Sequence, residues 1–142
     1  MGTVAEGELG SHPRATVREM DATEIDAPDG SYDLAVFALS LHHLPPKQAA
    51  LVFAEGTRAA RKLMIIDLRR PPSPVHAVVL AVALPFSGLM PLLHDGVISS
   101  LRSYSPSALR ALARHGDPEI IVEFRTRRFG PTVVVASRRQ VS

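Results

Sequence analysis

The sequence predicts an α/β fold: the later part of a doubly wound parallel sheet, closed at one edge by an antiparallel hairpin. Three observations carry this. Two runs, "YDLAVFAL" (32–39) and "KLMIIDL" (62–68), are apolar at nearly every position, as strands covered on both faces are. Between them lies a stretch whose small and apolar residues recur at helical spacing. Near the end, "PEIIVEFRTRRFGPTVVVAS" (118–137) holds two strands joined too tightly for a parallel crossover, so they must run antiparallel.

Taken in order, residues 1–13 predict a flexible amino-terminal segment with neither the basic nor the apolar region of a secretory signal. The rest, 14–142, predicts one domain with a helical insertion at about 71–103. "ATVREM" (15–20) alternates and predicts a short strand. Pro28, Asp29 and Gly30 mark a turn. The first apolar strand opens near Asp33, expected to be structural, and runs into His42 and His43 just before Pro45 and Pro46. Pro46 suits the first turn of a helix, and Ala49, Val52, Phe53, Gly56 and Ala60 give that helix a face for close packing on a sheet. The second apolar strand ends on an acid, Asp67.

Val75 to Leu93 is almost uncharged, but Pro85 interrupts it, which predicts two short buried or lid helices rather than a membrane span. Ser105 predicts an N-cap, Pro106 a first helical residue and Gly116 a stop, with Leu109, Leu112 and Ala113 as the apolar stripe.

Composition narrows the function. The 142 residues are 46% hydrophobic and 21% charged, ordinary for a globular domain, and the net charge is only +2. The arginines do not alternate with aromatic residues, so no nucleic-acid face is predicted. The absence of cysteine excludes disulfides and thiolate metal sites and is compatible with a reducing, cytoplasmic compartment. No metal site is predicted: adjacent histidines rarely chelate one ion, and no third ligand has suitable spacing.

"EMDATEIDAPDGSYDLAVFALSLHHLPP", followed by "ALVFAEGTRAARKLMIIDLRR", resembles the class I S-adenosylmethionine-dependent methyltransferases. The similarity runs from about Ala15 to Ser137, and "DLRRPPSP…HDGVISSLRSYSPSALRALA" resembles a subgroup acting on apolar small molecules. The resemblance implies a Rossmann-like sheet and S-adenosyl-L-methionine as cofactor. It implies that Asp21 accepts a hydrogen bond from the adenine amino group and that the Ala22 amide meets the ring. It also implies that Ala38, Leu39 and Ser40 face the cofactor, where ligands of open parallel sheets collect.

The methyl group of the sulfonium is already electrophilic, so the protein mainly positions the partners and removes a proton. His42 or His43 suits that task or a purely positional one, and neighbouring side chains diverge, so at most one faces the methyl. Asp67 and Arg69 either face substrate or form a surface ion cluster with Arg70. In the resembling subgroup, the region of His94, Asp95 and Tyr104 caps the acceptor pocket, which makes His94 a rival base.

The sequence departs from the family at the start. The glycine-rich turn of the first strand and the ribose-binding acid of the second are not there; Gly2, Gly7 and Gly10 stand in no strand–turn–helix context. Two central strands of the expected order 3-2-1-4-5-7-6 are therefore missing. The expectation is a truncated methyltransferase domain with weak or no cofactor binding. Its 32–39 strand would pair with strand 15–20, with a second copy or with a complementing chain through a bare edge. The rival expectation is a non-catalytic interaction module using that edge.

Overall fold

The computed structural model describes residues 13–70, 73–87, 98–99, 101–125 and 130–139. The sheet has four strands: β1 (Tyr32–Ala38), β2 (Ala60–Asp67), β3 (Ile120–Phe124) and β4 (Thr132–Arg138), in the order β1-β2-β4-β3. β1 and β2 are parallel, with Ala35 opposite Leu63 and Phe37 opposite Ile65. β4 runs antiparallel to both β2 and β3, so the predicted hairpin is present. This mixed α/β sheet reproduces the 4-5-7-6 end of the expected strand order.

The parallel pair is joined by helix α1 (Pro46–Ala59), which has Pro46 in its first turn. One face of α1 buries Ala49, Ala50, Val52, Phe53 and Gly56. A Cβ on Gly56 would lie 2.8 Å from Leu63 Cδ1, so glycine lets the helix sit down on β2. Helix α2 (Ser73–Ser87) and helix α3 (Pro106–Gly116) follow β2. In α3 the Ser105 hydroxyl accepts from the Ala108 amide at 3.2 Å, the predicted cap, and Leu109, Leu112 and Ala113 are buried. Together α1 and α3 cover the sheet face formed by Leu63, Ile65, Ile120, Val134 and Ala136.

Three expectations fail. Residues 15–20 form no strand and pair with nothing in the sheet; alternation alone supplies no ladder partner. β1 is not covered on both sides: Ala35 and Phe37 pack on the core, but Leu34 and Val36 are 49% and 55% exposed. Nor does Pro85 split the apolar insertion. It lies inside α2 near the carboxyl end, where only the bond to the preceding turn is lost, and Val75, Val78, Val82 and Phe86 are exposed rather than buried. The remainder of that insertion, 88–97, lies outside the described residues.

Gly116 ends α3 as predicted, but for a different reason. A Cβ there would run into the carbonyl oxygen of Ala50, so glycine is required by the close approach of α3 to α1. The obstacle is backbone and cannot rotate away. Gly116→Ala is therefore expected to lower unfolding free energy by about 1–3 kcal/mol through overpacking, measured by chemical denaturation. An unchanged midpoint would contradict the assigned contact.

Candidate functional site

The carboxyl ends of β1 and β2 meet at one end of the molecule. The Leu39 amide extends the parallel ladder, donating to the Ile66 carbonyl at 2.7 Å. Leu39 itself has a φ of +53°, a left-handed conformation rare for a branched side chain, and its side chain is exposed. That reversal turns the chain out of the sheet. Ser40 then donates from its hydroxyl to the Ala38 carbonyl at 3.0 Å, and Leu41–His43 form a single 3-10 turn.

The turn explains why an apolar strand stops on two histidines. Leu41 and His42 point inward and are buried; His43 points outward and is exposed. The His42 ring donates through Nδ1 to Asp67 Oδ1 at 2.6 Å, and the His42 amide donates to Asp67 Oδ2 at 2.9 Å. Asp67 Oδ1 also accepts from the Leu68 amide at 2.8 Å. The two side chains are only 4% and 7% exposed. Asp67 is thus not part of a surface ion cluster: it closes the sheet from within. The His43 ring lies beside that of His42, with centroids 4.0 Å apart and planes tilted by 42°.

Tyr104 joins the same cluster from the segment before α3. Its hydroxyl donates to the Leu44 carbonyl at 2.7 Å. Burial, and then the charge of Asp67, push its phenol above the usual tyrosine range, so it remains a donor at neutral pH. The sequence assigns His42 to catalysis, Ala38, Leu39 and Ser40 to the cofactor, and Asp67 and Tyr104 to the substrate; the structure brings all six to one end of the sheet. Arg69 is exposed beyond the end of β2. His94 and Asp95 lie outside the described residues.

Asp21 and Ala22 stand apart, in a turn beside α1. Asp21 Oδ1 accepts from the Thr23 amide at 2.8 Å and from the Thr23 hydroxyl at 2.7 Å, the pattern of an Asx turn. Those bonds, the amide's first, hold its carboxyl below the usual range. Ala22 packs against the core and lines an apolar cavity of about 190 Å³ with Met20, Ile25, Val36 and Phe37.

Two residues that sequence reasoning missed hold this segment in place. Arg58 donates to Asp29 Oδ1 at 2.7 Å and to the carbonyls of Ile25 and Ala27 at 2.8 Å. Glu55, held below its usual range first by hydrogen bonding to Arg58, accepts from the Ile25 amide at 3.0 Å.

The methyltransferase-domain family model matches residues 2–63. No curated protein matches the chain. Solved structures share the fold. Magnesium protoporphyrin IX methyltransferase from Synechocystis PCC 6803, solved with bound SAH, has 19% identity and a TM-score of 0.55, over 96% of this chain and 57% of that one. A SAM-dependent methyltransferase from Aquifex aeolicus has 17% identity and a TM-score of 0.55, over 94% of this chain and 58% of that one. The LepI complex with SAM has 14% identity and a TM-score of 0.58, over 96% of this chain and 33% of that one. The chain therefore spans between a third and three fifths of the length of these relatives, and at these identities the likeness is one of fold.

The buried carboxylate serves three donors, so its loss should be felt far more than that of its exposed neighbour. Asp67→Ala is expected to cost about 3–5 kcal/mol of stability, as breaking a buried polar pair does, whereas His43→Ala should stay within roughly 0.5 kcal/mol. Denaturant titration of both variants checks this, and equal effects would contradict the inward and outward assignments.

Proposed function

We propose that the chain carries part of a class I S-adenosylmethionine-dependent methyltransferase domain, whose family model matches residues 2–63, and that it forms the acceptor-side wall of a methyl-transfer site for an apolar small molecule. The observation that carries this reading is the crevice edge at the carboxyl ends of β1 and β2. An exposed left-handed Leu39 stands there beside Ser40 and the His42–Asp67 pair. Strand carboxyl ends are where ligands of open α/β sheets bind. Strained backbone at such a place supports a binding role. Leu39 gives an apolar lip, and the imidazoles supply proton-accepting chemistry for a hydroxyl or carbon acceptor. Tyr104, and Arg69 beyond β2, flank the same end on the acceptor side.

S-adenosyl-L-methionine, when bound in such a domain, supplies an electrophilic methyl group. The described residues fit only part of it. Asp21 offers an outward carboxylate for an amino group, and Ala22 adjoins an apolar cavity. That cavity, about 190 Å³, is smaller than the ~300–1,000 Å³ of sites that enclose drug-sized ligands, and its apolar lining offers no partners for ribose hydroxyls or an amino-acid carboxylate. The reading is therefore a domain whose grip on the cofactor is incomplete in this chain.

Calorimetry with S-adenosylmethionine tests that grip. Dissociation weaker than micromolar is expected, and micromolar binding would overturn the impaired reading. Titration with naphthol, an apolar phenol, tests the acceptor wall by NMR. Amide shifts are expected at Leu39 to Leu44 and Leu68; shifts elsewhere, or none, count against it.

A second reading has its own observation. The outer edge of β1 has no ladder partner among the described residues, and the face carrying Tyr32, Leu34 and Val36 is exposed. An apolar edge strand of this kind is a template for pairing with another chain. A pairing module predicts association in sedimentation that Val36→Lys abolishes, because Val36 lies outside the packed core. A monomer at all concentrations would remove this reading.

A further inference from the structure

We propose that Asp67 is a positioning residue that fixes the His42 imidazole in its Nδ1–H form, making Nε2 the proton acceptor for a hydroxyl group on the small-molecule acceptor. This rests on the acceptor-wall reading and chooses between the two adjacent histidines. An ionised carboxylate only accepts hydrogen bonds, so the ring nitrogen 2.6 Å from Asp67 Oδ1 carries the proton. In a neutral imidazole the other nitrogen then holds a lone pair. The ring cannot easily turn over. Its own residue also donates a backbone N–H to Asp67 Oδ2, and the Leu68 amide fixes Oδ1, so carboxylate and turn lock each other.

Nε2 has no hydrogen-bond partner among the described residues, although every buried side-chain nitrogen and oxygen described does have one. Among the described residues Nε2 is therefore the ring nitrogen left without a protein partner. Among the described residues no carboxylate orients His43, which is exposed. Tyr104 has its proton committed to the Leu44 carbonyl and does not compete.

The proposed step is a single proton transfer. The O–H bond of the acceptor breaks, its electron pair stays on oxygen, and the proton goes to Nε2. The imidazolium that results keeps its Nδ1–H on Asp67, whose negative charge offsets the new positive one. A base held by a buried acid in this way has both its direction and its tautomer set before the ligand arrives.

Heteronuclear NMR of the histidine-labelled full chain tests this, because it separates a protonated ring nitrogen from a bare one without cofactor or substrate. At neutral pH the His42 signals are expected to show a protonated Nδ1 and a bare Nε2. Asp67→Asn should lose or reverse that preference, since an amide can donate as well as accept, and His43→Gln should leave it unchanged. A protonated Nε2 in the parent chain, as the other tautomer or as imidazolium, overturns the proposal whatever the variants do. Naphthol supplies the functional arm. It should move the Nε2 signal, and methoxynaphthalene, which has no hydroxyl proton, should not. Naphthol bound at Leu39 to Leu44 with Nε2 unmoved would overturn the proposal alone, whereas naphthol that binds nowhere would overturn the acceptor-wall reading beneath it.

Discussion

Asp67 is one residue past the level at which β1 and β2 stop pairing, and it points to the face of the sheet that α1 covers. Everything at this end follows from that placement. A carboxylate buried there is tolerable only if its oxygens are satisfied, and the chain leaving β1 is the nearest source of donors. To bring the His42 amide and ring back over the end of β2, the backbone must reverse within a few residues. The reversal is made at Leu39, in a left-handed conformation that costs roughly 1–2 kcal/mol for a residue with a Cβ. Three hydrogen bonds to one carboxylate are enough to offset that strain. The lip of the crevice, the inward His42 and the outward His43 are thus one device.

The sheet is built on one side only. On the inner face, Leu63, Ile65, Val134 and Ala136 pack under α1 and α3, with Phe53 fully buried between them. On the other face, Leu34, Val36 and Ile121 remain exposed. A parallel strand is normally covered on both faces, because each crossover places a helix there. Here the crossover from β1 to β2 supplies α1 on one side, and no described element packs across the other. This chain spans only part of the length of its structural relatives.

What could be read from the sequence was whatever depends on neighbours along the chain. The Ser105 cap, Pro46 at the start of α1, the two apolar strands and the tight hairpin are all local signals, and all are present. What could not be read depends on partners distant in sequence. The alternation of 15–20 resembles a strand, but a strand needs a ladder. The apolar run of 32–39 implies two covered faces, but only the assembled helices decide coverage. Asp67 and His42 are 25 residues apart, so the pairing that turns two weak candidates into one site had no spacing to reveal it. Gly116 was read as a stop because glycine often ends helices; its contact with Ala50 is visible only once α3 lies across α1.

Helix α1 ties the two halves of the candidate site together. Its N-cap, Pro45, directly follows Leu44, whose carbonyl takes the Tyr104 hydroxyl. Further along, Glu55 and Arg58 grip the segment from Ile25 to Asp29, which leads back to Asp21 and Ala22. Pro46 and Glu55 are about 14 Å apart along the axis at 1.5 Å per residue. The turn at Asp21 and the crevice edge at His42 are therefore not joined through a loop free to drift. Each is fastened to the same rigid helix, one near its start and one near its end. A ligand that engaged both would meet a distance set by α1, and the open flank of β1 lies alongside that span. The two segments can thus keep their spacing through the helix that carries both.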